Sequence, residues 1–231
     1  MARGRRVIRE FWVSDWGLSA LLALLIVDSF VLGPIIELRE VAGLVQPVLF
    51  SLILLSGVAM TLRRRSVTIV VATMAAIDFA IRWTSHLHRS VALLRVDAVL
   101  SMTFAALLAA VILVQVFRPG PMNMHRIRGA IAAYLLIAFT MAFAYKLVAL
   151  IDPNAFNFSI ASLTSQQLVV RLAYFSTMTL TTVGYGDIVP VNPIARSLAA
   201  LEALVGQLFP AVLLARLVAM ELSSRERQHR D

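Results

Sequence analysis

The sequence predicts an all-α membrane protein of six transmembrane helices, with a seventh, shorter helix that dips into the bilayer and returns. Three observations carry this expectation. Of 231 residues, 60% are hydrophobic and 15% charged, with a mean hydropathy of +0.84, too apolar for one soluble core of this size to hide. The apolar residues gather into six long runs. Before the last run comes TLTTVGYGDIVP, residues 179–190, where glycines, threonines and a carboxylate crowd together in a place that suits neither a helix nor a lipid-facing surface.

The runs cover residues 18–36, 41–62, 66–81, 91–117, 129–151 and 193–222. At 1.5 Å per residue most can cross a hydrocarbon core of about 30 Å. The third is the shortest and carries Asp78. Arg3, Arg5, Arg6 and Arg9 precede the first run in the manner of a signal peptide, but the run is long and no small-residue cleavage site follows, so it is read as a retained span.

Orientation comes from the flanking basic residues, because cytoplasmic loops are enriched in Lys and Arg. Besides the four N-terminal arginines, Arg63, Arg64 and Arg65, then Arg118, Arg126 and Arg128, and finally Arg225, Arg227 and Arg230 fall on one side of six spans. Arg39, Arg82, Arg89 and Arg196 fall on the other. A multi-pass protein of the cell (inner) membrane with both termini cytoplasmic is expected. The net charge of +8 is then a topology signal, and no nucleic-acid partner is expected because no basic soluble domain is present to bind one. The absence of cysteine excludes disulfides and thiolate metal sites. His86 and His88 stand beside Arg82 and Arg89, a poor place for a cation, and Asn157-Phe158-Ser159 is read as a chance match to the glycosylation pattern. No phosphate loop, dinucleotide fingerprint or nucleophile elbow is present, so neither an enzyme nor a cofactor is expected.

Between the fifth and sixth spans the chain reads in three pieces. Residues 152–162 form an exposed lead-in; Thr164-Ser165-Gln166-Gln167 then fits a capping box. A helix starts near Ser165 and runs to about Leu180, where Thr181, Thr182 and Val183 give way to Gly184. That is short of a full bilayer crossing, so the chain re-enters. Irregular backbone at membrane depth is tolerated only where protein buries it or where it lines an aqueous path. Alternation of Gly184 and Gly186 with Val183 and Tyr185 lets successive carbonyls face one narrow pore and replace the water shell of a cation. One chain supplies a quarter of each ring, which implies a homotetramer.

Thr182-Val183-Gly184-Tyr185-Gly186, preceded by Thr179-Leu180-Thr181 and followed by Asp187, resembles the TVGYG selectivity filter of potassium channels. Residues 202–209, EALVGQLF, and 213–218, LLARLV, are similar to the inner helix of bacterial potassium channels, and the span count resembles the six-span, one-pore-loop, voltage-gated-like superfamily. The resemblance implies a pore helix and selectivity filter in a potassium-selective channel, with K+ as permeant ion and no other cofactor. It also implies roles. The hydroxyl and carbonyl of Thr182 form the innermost ion site; the carbonyls of Val183, Gly184 and Tyr185 form the outer ones, and Gly186 allows the final turn. Thr181 precedes the filter as support. Tyr185 joins Tyr174 and Phe175 in an aromatic cuff, simple packing being the alternative for Phe175. Asp187 bonds the pore helix or raises the local cation concentration.

In the sixth span Gly206 is read either as a hinge or as a site of close helix packing, and Pro210 as the cause of a kink. Leu213 or Leu214, Leu217 and Met220 recur at helical spacing as an inner hydrophobic constriction. The first four spans resemble a voltage-sensor module with Asp28, Asp78, Arg95 and Asp97 as intramembrane charges, and Arg95 is expected to pair with one of the three carboxylates. After His86, Arg89 and Arg95 the fourth span carries no regular cationic array, so strong voltage gating is not expected and the first four spans are read as a static or lipid-responsive collar among membrane lipids. The organisation is then a cytoplasmic N-terminus (1–17), a four-helix module (18–117), a linker (118–128), a pore domain (129–222) and a tail (223–231). A non-conducting subunit that retains the pore fold is the alternative.

Overall fold

The computed structural model describes residues 17–38, 45–61, 65–87, 90–118, 123–161 and 163–228. His88 and the basic residues Arg3, Arg5, Arg6, Arg9, Arg39, Arg63, Arg64, Arg89 and Arg230, used above for topology, lie outside the described residues. The described chain is helical apart from its connections and one isolated bridge between Phe156 and Pro190. We number the helices α1 (Gly17–Leu32), α2 (Gly33–Leu38), α3 (Val45–Thr61), α4 (Arg65–Leu87), α5 (Val91–Val116), α6 (Met124–Ile151), α7 (Ser165–Leu180) and α8 (Pro193–Gln228).

Among the described residues, four helical stretches are long and apolar enough to cross a membrane: Ser66–Thr84, Val91–Val116, Met124–Ile151 and Pro193–Arg216. The first two expected spans appear as the shorter apolar stretches Gly17–Leu32 and Gln46–Ala59. In α1 the last six residues, Val27–Leu32, wind as a π-helix just before Pro34. A proline offers no N–H to the carbonyl four residues back and its ring crowds that carbonyl, which accounts for a change of winding there. The third span is longer than its sequence run of residues 66–81 because α4 continues through Arg82 to Leu87 instead of ending before that charge.

Local chemistry fixes the ends of the helices that matter most. Asn123 caps α6, its side chain accepting from the Arg126 N–H at 3.1 Å. The capping box at the start of α7 is complete: Thr164 Oγ1 accepts from the Gln167 N–H at 3.3 Å, and Gln167 Oε1 accepts from the Thr164 N–H at 2.9 Å. Pro193 opens α8 with the φ a first turn needs, and Asn192 Oδ1 accepts from the Ile194 N–H at 2.8 Å. α8 continues through Pro210 to Gln228.

α5 packs against α6 along a seam of small residues. Ala132 and Ala133 are fully buried there, and a Cβ at Gly129 would stand 3.0 Å from Val116 Cγ2, so small side chains bring the two backbones close. One core takes Leu18, Leu21 and Leu25 from α1, Phe50, Ile53 and Leu54 from α3, Phe104 and Leu108 from α5, and Leu136, Phe139 and Phe143 from α6. It therefore joins the N-terminal helices to the C-terminal ones across the 118–128 linker. A second cluster of Tyr145, Phe156, Leu168, Leu172 and Phe175 lies behind α7 and fixes that helix against α6.

Candidate functional site

The run TVGYG leaves the C-terminal end of α7 directly. The Thr181 and Thr182 amides still bond back to the carbonyls of Thr177 and Thr179 at 3.0 and 2.9 Å, and those of Val183 and Gly184 both reach the Met178 carbonyl at 3.0 and 3.1 Å. From there the backbone alternates. Among the described residues, positive φ occurs at Thr182 (59°), Gly184 (55°) and Gly186 (78°), every second position of the run. Glycine enters this region freely; threonine, being β-branched, is strained in it. No atom lies within 4 Å of where a Cβ on Gly184 or Gly186 would project, so their faces are open. Residues 181–187 are all exposed in the single chain, Tyr185 at 73%.

Polar side chains from the lead-in hold the far end of the run. Asn157 donates from Nδ2 to the Asp187 carbonyl at 3.0 Å, and its Oδ1 accepts from the Val189 N–H at 2.8 Å, while its own N–H bonds the Val189 carbonyl at 3.0 Å. The Ala155 carbonyl accepts from the amides of Val191 and Asn192, and Asn192 Nδ2 donates to Asp152 Oδ2 at 2.8 Å. Asp187 thus enters this clamp through its backbone. The asparagine read as a chance glycosylation pattern is the residue that fastens the exit of the run.

Behind α7 the contacts with α6 and α8 are polar and close. The Tyr134 hydroxyl donates to the Leu180 carbonyl at 3.0 Å, one residue before Thr181. A Cβ at Gly206 would fall on that same carbonyl, within 2.6 Å of its carbon. The glycine is therefore required by close approach of α8 to the end of α7, the packing alternative for Gly206. One turn earlier on α8, Glu202 reaches the hydroxyls of Tyr145 and Ser176. Phe175 packs edge-on to Tyr145 and Phe156, with ring centroids at 4.9 and 5.6 Å. That differs from the cuff expected with Tyr185: in a helix, neighbours Tyr174 and Phe175 point about 100° apart, so Phe175 faces the chain's interior while Tyr174 is 38% exposed.

The intramembrane charges pair differently from the expectation for Arg95. Arg95 lies on the exposed face of α5 and donates to the Leu150 carbonyl at 2.9 Å. Asp97, two residues on, faces inward, because positions two apart on a helix point to nearly opposite sides. Its partners are Lys146 Nζ at 2.7 Å and Arg82 Nη2 at 3.4 Å. Arg82 also approaches Asp78 at 3.8 Å and donates to Ser101 Oγ, which donates on to Asp78 Oδ1, and its guanidinium lies over the Phe50 ring at 3.8 Å. Asp28 lies in the π-helical turn of α1, within electrostatic reach of Arg82. Arg82, read as an outer flank, and Lys146, the chain's single lysine, were the missed members. Asp78 and Arg82 at i and i+4, and a lone lysine inside a 28-residue apolar helix, were the legible signals.

Of the inner-helix residues, Leu213 packs against the main core together with Phe209, Leu214 is 65% exposed, and Pro210 lies on the exposed side of α8. The side chains of Leu217 and Met220 lie outside the described residues.

Residues 131–222 match the family model for an ion channel. The matched stretch takes in α6 from Ile131, all of α7, the TVGYG run and α8 to Leu222. A segment of 45 residues is 51% identical to Protein LctB of Bacillus caldotenax, and one of the same length is 53% identical to Protein LctB of Geobacillus stearothermophilus. Each alignment covers 20% of this chain and 33% of the relative, so the chain spans about a third of the length of the curated relatives it matches. No solved structure matches. The match is thus to an ion-channel domain, in a chain that has, among the described residues, four helices long and apolar enough to cross a membrane.

Proposed function

We propose that the chain is one subunit of a homotetrameric, potassium-selective channel of the six-span, one-pore-loop type, in the cell (inner) membrane with both termini cytoplasmic. The observation that carries this reading is the run Thr182–Gly186, which alternates the sign of φ at every second residue as it leaves the end of a helix. Four such runs around an axis line a pore with the carbonyls of Thr182, Val183, Gly184 and Tyr185 and the hydroxyl of Thr182, which together replace the hydration shell of K+. α7 is then a re-entrant pore helix: its 16 residues span about 24 Å, short of the bilayer core, and its partly negative C-terminal end faces the ion.

Assembly is supported by what a single chain leaves uncovered. Only 11% of the most apolar window of α8 is buried, and Leu201, Leu204, Leu208 and Val212 are each more than half exposed, a face that the neighbouring subunits cover. The helices of residues 18–117 form a collar. Its Asp78, Arg82 and Asp97 are tied to one another and, through Lys146 of α6, to the pore domain, so no voltage-driven stroke is built into them.

Bi-ionic reversal potentials of the purified protein in planar bilayers test the reading, with particle mass in nanodiscs giving the copy number. Potassium is expected to permeate far better than sodium through a particle of four chains. Equal permeability of the two ions in a conducting protein refutes it, as does a conducting monomer or dimer.

A further inference from the structure

Three short oxygen–oxygen contacts meet where α6, α7 and α8 touch. Tyr145 Oη lies 2.6 Å from Glu202 Oε2, Ser176 Oγ lies against Glu202 Oε1, and Ser176 Oγ is 2.7 Å from the Ala138 carbonyl oxygen. Tyr145 and Ser176 are 0% exposed and Glu202 1%. Each contact needs a hydrogen of its own, and the two hydroxyls supply one apiece. Tyr145 gives its hydrogen to Oε2. Ser176 gives its hydrogen to the Ala138 carbonyl, which has none to offer in return. The contact between Ser176 and Glu202 then holds only if Oε1 carries a hydrogen and donates it to Ser176 Oγ. The ion pairs Arg82–Asp78, Arg82–Asp97 and Lys146–Asp97 lie elsewhere, and an ionised carboxylate buried without a cation is costly in a membrane.

We infer that Glu202 stands in the membrane as a neutral carboxylic acid and is a positioning residue for the TVGYG run, donating to Ser176 of α7 while accepting from Tyr145 of α6. The three helices of the ion-channel match are thereby tied at one buried point, four residues along α8 from Gly206, whose backbone carries the end of α7. Hydrogen bonds are directional where apolar contacts are not, so this tie sets the height and rotation of α7 and with them the position of Thr182. The permeation consequence rests on the proposed potassium selectivity; the protonation of Glu202 does not.

The neutral acid has a close mimic. In Glu202→Gln the amide NH2 can donate to Ser176 and the amide oxygen can accept from Tyr145, so all three contacts survive. Glu202→Leu removes both bonds that Glu202 makes. In the reconstituted full chain, Glu202→Gln is expected to keep the K+/Na+ permeability ratio within about twofold of wild type, while Glu202→Leu lowers it at least about tenfold in particles of unchanged mass, the scale set by losing a buried hydrogen bond. A Glu202→Gln protein as damaged as Glu202→Leu overturns the inference by showing that charge is needed; a Glu202→Leu protein with the wild-type ratio overturns it by showing that nothing is positioned. Infrared spectra of wild-type protein carrying 13C-glutamate supply a readout independent of flux and of either variant's folding: a label-sensitive C=O stretch of a protonated glutamate is expected, and it shifts in Tyr145→Phe. Absence of that band, or a band indifferent to Tyr145→Phe, overturns the inference. Wild-type protein that passes sodium and potassium alike removes the channel reading instead and leaves the infrared result to decide Glu202.

Discussion

Gly206→Ala separates two physical roles by the sign of its effect. If this glycine serves only as a flexible point in α8, alanine stabilises the helix by about 1 kcal/mol, since glycine loses more backbone freedom and alanine is the better helix former. The structure adds an opposing term. The new Cβ would lie 2.6 Å from the carbonyl carbon of Leu180 and 3.0 Å from its Cα. Carbon atoms rest at about 3.5–4.0 Å, so α8 and the end of α7 must part by roughly 1 Å. Both sides of the contact are backbone and neither can rotate away. Overpacking of this kind costs about 1–3 kcal/mol, which exceeds the helix-propensity gain. Parting also strains the bond from the Tyr134 hydroxyl to Leu180, 3.0 Å long. Gly206→Ala is therefore expected to be less stable by up to about 2 kcal/mol in reversible denaturant unfolding in detergent. It also displaces Thr181 and Thr182, immediately after Leu180, so the K+/Na+ permeability ratio falls with stability. An alanine variant as stable as wild type or more so, with unchanged selectivity, refutes the close-packing account.

Gly184→Ala meets open space, yet φ of +55° is costly for an L side chain by about 1–2 kcal/mol; selective flux is expected to vanish while the particle mass stays the same, and selective flux that persists would put the pore elsewhere. Asn157→Ala removes both side-chain bonds to the 187–189 segment, and amide exchange there is expected to quicken by about two- to tenfold, the scale of about 0.5–1.5 kcal/mol for a net hydrogen bond at an exposed site; unchanged exchange contradicts the clamp. Asp97→Leu strips Lys146 of the carboxylate 2.7 Å away and should destabilise by about 3–5 kcal/mol, with the Asp97→Leu/Lys146→Met pair regaining most of the loss. A double variant no better than the single would show that the pair is not what holds α5 to α6. Conductance between about −100 and +100 mV should change shallowly, because one charge crossing the full field is worth about 2.3 kcal/mol per 100 mV and Arg95 and Asp97 on α5 cancel; a steep rise that Arg95→Gln abolishes would overturn this.

What the sequence by itself determined was written in short-range patterns. Hydropathy runs long enough to cross lipid marked four helices of spanning length, because burial in a bilayer selects composition residue by residue. The capping box at Thr164 and the glycines at 184 and 186 fixed the start of α7 and the unusual backbone after its end, because caps and positive φ depend on neighbours within a few positions. The π-helical winding before Pro34 and the extension of α4 past Ile81 through Arg82 escaped such a reading: the run on a hydropathy plot stops before Arg82, whereas the helix continues because that charge finds partners. Tertiary structure alone decided those partners. Lys146 lies 49 residues from Asp97, Glu202 lies 57 from Tyr145, and Asn157 lies 30 from Asp187. Separations of that size leave no trace in local periodicity. A buried polar group in a membrane takes whichever donor or acceptor the packing of helices brings within about 3 Å, and packing is settled by the whole set of apolar and small residues at once.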